Sequence, residues 1–204
     1  MAEGAQPGCA VMIAGHFGFA AAIKSREPET PLWALMLATV WLDVVFVPLY
    51  LSGIETVQPA DKVHTGYGAL IIHADYTHSL VGMTILSAVL GGLAGLLWGR
   101  RPGIVIGLVA ASHWLLDLFV HRADLLVLPG NIGDLPRLGL GLWRYPLVSF
   151  SIELALVLLG AWLYWRAANR VAKTEGTGGL AATLAASLIA IFGVLILWLD
   201  FIGT

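Results

Sequence analysis

Charged side chains are scarce in this chain of 204 residues. Asp, Glu, Lys and Arg together make up 12% of the residues, whereas hydrophobic residues make up 58%. Soluble domains carry about twice that charged fraction, because they need a polar surface. The mean hydropathy of +0.84 is correspondingly high. This composition excludes an ordinary soluble domain and predicts a polytopic membrane protein whose core and lipid-facing surface are both apolar.

Cysteine and long basic runs are also nearly absent. Cys9 is the single cysteine, which excludes an intramolecular disulfide and a zinc site built on cysteines. The net charge is −2 and no basic run is longer than the pair Arg100 and Arg101, so nothing favours binding to nucleic acid. The residues before the first apolar segment include no Lys or Arg. We therefore expect that this segment is not a cleaved signal peptide.

Long apolar segments fill most of the chain. A membrane-spanning helix needs about 20 mostly apolar residues, and five segments meet or approach that length: 31–51, 77–99, 103–121, 143–165 and 179–202. A shorter apolar run at residues 8–23 predicts a short sixth span, with a re-entrant helix as the alternative. No repeat or linker divides the chain. We therefore predict an all-α transmembrane bundle of about six helices, forming a single domain over residues 1–204.

Lys and Arg residues set the expected orientation, because cytoplasmic loops carry an excess of them. With the N-terminus outside, the inner connections hold more basic residues than the outer ones. The inner residues are Lys24, Arg26, Arg100, Arg101, Arg166, Arg170 and Lys173, and the outer residues are Lys62, Arg122, Arg137 and Arg144. The long connections 52–76 and 122–142 then lie on the extracytoplasmic side.

Several His, Asp and Glu residues interrupt the apolar segments. An ionisable residue near the membrane centre costs about 2.5 to 3.5 kcal/mol and usually has a partner or a task. His113, Asp117 and His121 are four residues apart, so a helix places them along one face. Six further ionisable residues interrupt or border the apolar segments. With the expected orientation, all of these residues lie in or near the outer half of the membrane, where they could form one cluster. The six further residues are His16, Asp43, His73, Asp75, His78 and Glu153.

Imidazole and carboxylate groups gathered in this way are ligands for a divalent cation. Zinc is the first choice, with manganese or iron as alternatives. The set is larger than one tetrahedral site needs, so we expect one to three ions, with Asp117 or Asp43 available to bridge two of them. His121 lies about 12 Å along the helix from His113, too far to share one small ion with it. It either binds a second ion or caps the helix.

Structural roles are the alternatives for several of these residues. His113 and Asp117 could form a hydrogen bond across one helical turn. Asp75 or Thr77 could cap the start of a helix. Glu153 could bind the metal, accept a hydrogen bond from an imidazole ligand, or act as a general base. The sequence leaves these alternatives open.

Two motifs carry a resemblance to a known family. The stretches H-A-D-Y-T-H-S at 73–79 and S-H-W-L-L-D at 112–117, with an early His and a mid-helix Asp, resemble the membrane-bound metal-dependent hydrolases typified by the YdjM and YbcI proteins. That family is similar in turn to the zinc-dependent phospholipase C group. The resemblance covers about residues 15–129. It implies metal ligation by His16, Asp43, His73, His78, His113 and Asp117.

The resemblance implies a membrane-embedded, metal-dependent hydrolase of a bacterial inner membrane. Its substrate would be a membrane lipid or another lipid-linked phosphoester or ester, reached near the extracytoplasmic face. We name Asp75 and Glu153 as catalytic candidates. A divalent-cation or proton transporter is one alternative, although the inner half of the membrane offers almost no polar path. A haem protein is the other, although Asp117 and Asp75 suit a hard cation better than haem.

Overall fold

Over residues 13–59, 67 and 69–202, which a computed structural model describes, the chain forms seven α-helices and one β-hairpin. The helices are α1 (Ile13–Lys24), α2 (Leu32–Thr39), α3 (Trp41–Leu51), α4 (Leu80–Trp98), α5 (Arg100–Val120), α6 (Pro146–Glu175) and α7 (Leu180–Ile202). The strands β1 (Thr56–Pro59) and β2 (Leu70–His73) pair antiparallel, with Thr56 opposite His73. Four helices are long and apolar enough to cross a membrane, and α2 with α3 gives a fifth span if the two are counted together.

The predicted all-α architecture of long apolar helices is confirmed in part, and three features differ from the prediction. Helices α4 to α7 match four of the predicted spans. The expected short span at 8–23 lies partly outside the described residues, and its described part is α1, with 12 residues. The β-hairpin was not predicted, because strands of four residues are too short to show a clear alternating pattern.

The segment 31–51 is a bent pair of helices rather than one straight span. Helices α2 and α3 meet at Val40 and differ in direction by 51°. In a continuous helix the Thr39 carbonyl would accept a hydrogen bond from the amide four residues later. Here it accepts one from Nδ1 of His113 at 2.7 Å, and the Thr39 hydroxyl donates to the His16 carbonyl at 3.1 Å. An irregular backbone at membrane depth needs such partners. The break at Val40 is therefore stabilised by two of the candidate ligand residues, His113 and His16.

Helix α1 lies at the centre of the bundle, where it packs against α2, α6 and α7. It approaches α6 most closely where Gly18 meets Gly160. A Cβ atom added at Gly18 would lie 2.5 Å from the Leu156 carbonyl oxygen, so only glycine permits this approach. The contact fixes the position of His16, which precedes Gly18 by two residues.

The helix ends near the cavity place further residues of the site. The N-cap of α4 is Ser79, whose hydroxyl accepts the Gly82 amide hydrogen, rather than Asp75 or Thr77. Helix α5 stops at Val120, and His121 follows in an extended conformation. Both ends therefore turn the chain beside the residues that the sequence predicted to be ligands.

Candidate metal centre

Five of the predicted metal ligands line one cavity. Helix α1 contributes His16, α3 contributes Asp43, the turn before α4 contributes His78, and α5 contributes His113 and Asp117. His113 and Asp117 share one face of α5 because they are four residues apart. The other three come from distant parts of the chain, so tertiary packing brings the group together.

The ligand-type atoms of these side chains lie close to one another. Nε2 of His113 is 3.1 Å from Oδ2 of Asp117 and 3.6 Å from Oδ2 of Asp43. Nε2 of His78 is 3.2 Å from Nε2 of His113 and 3.5 Å from Oδ1 of Asp43. Two overlapping sets, one of His16, His113 and Asp117 and one of Asp43, His78 and His113, bring their ligand atoms within 4.8 Å of one another. This buried group could hold a metal ion.

A hydrogen bond determines which nitrogen of His113 carries the ring proton. Nδ1 lies 2.7 Å from the Thr39 carbonyl oxygen. Because a carbonyl oxygen only accepts, Nδ1 carries the hydrogen, and in the neutral ring Nε2 is left with a lone pair. A purely structural hydrogen bond from His113 to Asp117 would therefore require a second ring proton. In its neutral form, the ring could instead offer Nε2 as a ligand, as imidazoles do when a carbonyl orients them.

The cluster opens on the side of Asp43. The Asp43 side chain is 31% exposed, whereas that of Asp117 is 6% exposed. Asp43 lies on α3, where the neighbouring side chains of Val44 and Val47 are also exposed. The path from the cluster to its surroundings therefore runs beside α3.

Apolar residues form much of the cavity wall. The cavity encloses about 50 Å³, which is room for an ion or a few water molecules. Its walls include Phe46 of α3, Val57 of β1, Ile72 of β2, and Trp143. The hairpin therefore contributes to the wall from the connection that we expect on the extracytoplasmic side.

A second pair of histidine and carboxylate lines the same cavity. Nδ1 of His121 lies 3.0 Å from Oδ1 of Asp124, and the His121 ring packs against Trp143 with 4.4 Å between ring centroids. Because the Asp124 carboxylate accepts from Nδ1, Nε2 of the neutral His121 ring keeps its lone pair. Among the described residues, His121 belongs to neither set of candidate ligands.

His73 and Asp75 do not join the cluster. Ile72 and Ala74 line the cavity, and successive residues of a strand point in opposite directions, so His73 faces away from it. The backbone carbonyl of Asp75 accepts the Gly130 amide hydrogen at 3.0 Å, and Asp75 is not among the described residues that line the cavity. This geometry does not support ligation by His73 or catalysis by Asp75.

Glu153 is buried against α1 and is not among the described residues that line the cavity. Its Oε2 accepts the Gly15 amide hydrogen at 3.3 Å, beside His16. The Tyr67 side chain lies near the same carboxylate. Burial and this neighbouring charge raise the pKa of Tyr67 above its ordinary value. The contact with Gly15 indicates that Glu153 anchors the start of α1, which does not support a general base in the cavity.

Three groups that complete the centre were not predicted from the sequence. They are the Thr39 carbonyl, the Glu55 carboxylate and the Asp124 carboxylate. The spacing of Asp124, three residues after His121, is visible in the sequence and could have revealed that pair. Glu55 resembles any acidic residue of a loop, and the Thr39 carbonyl is released only by the break at Val40. No sequence pattern marks either of these two.

Comparison with known proteins assigns no family to the chain. No protein-family model, no curated protein and no solved structure matches it. The resemblance to the YdjM-type membrane hydrolases, carried by the motifs at 73–79 and 112–117, therefore stays a prediction. The structure itself establishes apolar helices long enough to span a membrane and a buried group of His and Asp residues that could hold a metal ion.

Proposed function

We propose that the protein is a membrane-embedded, metal-dependent hydrolase of a lipid-linked phosphoester or other ester. The observation that carries the proposal is the approach of His78 and His113, whose Nε2 atoms lie 3.2 Å apart beside two carboxylates. Two ring nitrogens with lone pairs repel each other at this distance unless a cation or proton lies between them. A divalent cation satisfies both nitrogens and the carboxylates together.

The donor set fits a divalent cation. Neutral imidazoles with Asp carboxylates are ligands for zinc, and a larger share of carboxylate suits manganese or iron. The two candidate sets share His113, whose single free nitrogen binds one ion, so we propose one principal ion at this residue. Such a cation would supply Lewis-acid chemistry, which polarises an ester and makes water more acidic.

His121 and Asp124 supply proton transfer in this proposal. Asp124 holds the hydrogen of His121 on Nδ1, and Nε2 is then free to accept a proton from an attacking water. The same nitrogen returns the proton to the leaving alcohol. The pair thereby takes the catalytic role that we predicted for Asp75 and Glu153 from the sequence.

The cavity favours a substrate with an apolar part. Phe46, Val57, Ile72 and Trp143 offer apolar contacts around the polar cluster. The opening at Asp43 lies beside the exposed side chains of α3, where a membrane lipid can approach from the bilayer. We therefore propose that the scissile ester belongs to a lipid with its headgroup near the extracytoplasmic surface.

Metal analysis of the purified protein tests this function. Protein purified in detergent without chelators should contain about one zinc, manganese or iron ion per chain. His113→Ala should lose this metal, together with hydrolysis of a panel of lipid phosphoesters and carboxylic esters. His73→Ala is the matched control, because His73 faces away from the cavity, and it should keep both.

Two results would contradict the proposal. The first is full metal content in the His113→Ala variant, or loss of metal in the His73→Ala control. The second is a result expected of one of the alternative functions. A haem absorption band near 400 nm would indicate a haem protein, and metal uptake into proteoliposomes without ester hydrolysis would indicate a transporter.

A further inference from the structure

A buried carboxylate lies next to the cluster but is not among the described residues that line the cavity. Glu55 is 1% exposed and precedes β1. Its Oε1 accepts the amide hydrogens of Tyr76 and Thr77, both at 2.8 Å. These bonds attach the residue to the turn that carries His78.

The Thr77 hydroxyl connects Glu55 to His78. The hydroxyl oxygen is 2.9 Å from Oε2 of Glu55 and 2.9 Å from Nδ1 of His78. A hydroxyl has one hydrogen to donate, and a carboxylate oxygen can only accept. The Thr77 hydrogen therefore goes to Glu55, and Nδ1 of His78 must donate to the Thr77 oxygen.

This arrangement of hydrogens decides what His78 presents to the cluster. With the hydrogen on Nδ1, Nε2 of the neutral ring carries a lone pair, and this nitrogen lies 3.5 Å from Oδ1 of Asp43. His113 reaches the same state through the Thr39 carbonyl. Two unrelated sets of contacts thus give the two histidines the same tautomer.

We propose that Glu55 is a positioning residue that acts through Thr77 to keep the hydrogen of His78 on Nδ1, leaving Nε2 free to bind the cation. The effect on cation binding rests on the proposed metal function, whereas the effect on the tautomer does not. In known metal sites, loss of such an outer partner lowers metal affinity about 10- to 100-fold.

Glu55→Gln separates this role from a purely structural one. The Gln carbonyl can still accept the amide hydrogens of Tyr76 and Thr77, so the turn keeps its support. The Gln NH₂ group would replace Oε2 and donate to the Thr77 oxygen. The Thr77 hydrogen would then turn to Nδ1 of His78, and the hydrogen of the neutral ring would move to Nε2, where it opposes cation binding.

Nitrogen NMR of protein labelled with ¹⁵N-histidine measures the tautomer in detergent after metal removal. The spectrum of His78→Ala identifies the His78 signals. We expect the Nδ1–H form in the wild type, the Nε2–H form in Glu55→Gln, and the wild-type form in Thr77→Ser, which keeps the hydroxyl. Zinc titration should show affinity about 10- to 100-fold lower in Glu55→Gln and nearly unchanged in Thr77→Ser.

The outcomes separate this proposal from the metal function. An Nε2–H tautomer in the wild type, or an unchanged tautomer in Glu55→Gln, would overturn the role of Glu55. If Glu55→Gln fails to fold, Thr77→Val replaces it, and equal zinc affinity in Thr77→Val and Thr77→Ser would overturn the role in the same way. A wild-type protein with the expected tautomer that binds none of zinc, manganese and iron would overturn the metal function and leave the action of Glu55 on His78 standing.

Discussion

At the scale of the residue, the sequence predicts some neighbours in the centre correctly and others incorrectly. The spacing of His113 and Asp117 predicts their shared face, because a helix fixes the direction of residues four apart. The motif at 73–79 and the resemblance that it carries predict His73 and His78 as ligands together, but β2 points His73 away from the cavity. Proximity in sequence predicts proximity in space only where the local conformation is known.

The pair of His121 and Asp124 gives a prediction at this scale. His121→Gln and Asp124→Asn should lower ester hydrolysis about 100- to 10,000-fold, because general acid–base catalysis contributes about that much. Metal content should stay at the wild-type level in both variants, since His121 belongs to neither set of candidate ligands. Parallel assays of hydrolysis and bound metal check this, with His73→Gln as the control. Unchanged hydrolysis in both variants would remove the pair from the reaction.

At the scale of the element, the position of His16 depends on how closely α1 approaches α6. The two helices touch through Gly18 and Gly160, without intervening side chains. The apolar pattern of residues 8–23 predicted a helix but not its partner, because every face of such a helix is apolar. The bend at Val40 escaped prediction for a related reason, since the bond that satisfies Thr39 comes from His113, far away in the sequence.

A comparison of two glycines tests the close approach of α1 and α6. Gly18→Ala should destabilise the protein by about 1 to 3 kcal/mol, because the added methyl group meets the backbone of α6. Gly92→Ala is the matched control. A Cβ atom there meets nothing within 4 Å, so the better helix propensity of Ala should leave stability unchanged or raised by up to about 1 kcal/mol. Unfolding measured in detergent by scanning fluorimetry checks both, and equal stability of the two variants would contradict the packing argument.

At the scale of the whole molecule, the length of α6 agrees with the orientation that the basic residues predict. Helix α6 has 30 residues and is about 45 Å long, whereas the bilayer core is about 30 Å thick. Its last third, which carries Arg166, Arg170 and Lys173, therefore extends beyond the core on the side that we expect to be cytoplasmic. The candidate centre lies toward the opposite end of the helices, beside the connections that we expect to be outer.

Cysteine labelling tests this orientation in intact cells. In a Cys9→Ser background, Ser52→Cys should react with a membrane-impermeant maleimide, because Ser52 is exposed in a connection that we expect to be outer. Thr177→Cys, in the connection between α6 and α7, should react only after the membrane is permeabilised. The reverse pattern would place the centre on the cytoplasmic side.

Composition and apolar length were enough to predict most of the long apolar helices, because the requirement for about 20 apolar residues is a property of the bilayer. They were not enough to predict the cavity. Its walls combine Val57 and Ile72 of the hairpin with Phe46 of α3. Each of these residues is apolar in a sequence that is apolar nearly everywhere, so only tertiary structure distinguishes them.

Helix α3 buries only one of its side chains, that of Leu42. A cation bound to Asp43 and to the two histidines would therefore be an additional anchor for a helix that packing holds weakly. Loss of the cation would leave α3 attached mainly near its start, by the junction at Val40, by Leu42 and by Trp41, whose Nε1 donates to the Leu86 carbonyl. Under the proposed function, the supply of metal would then affect the opening beside Asp43, in addition to the reaction inside.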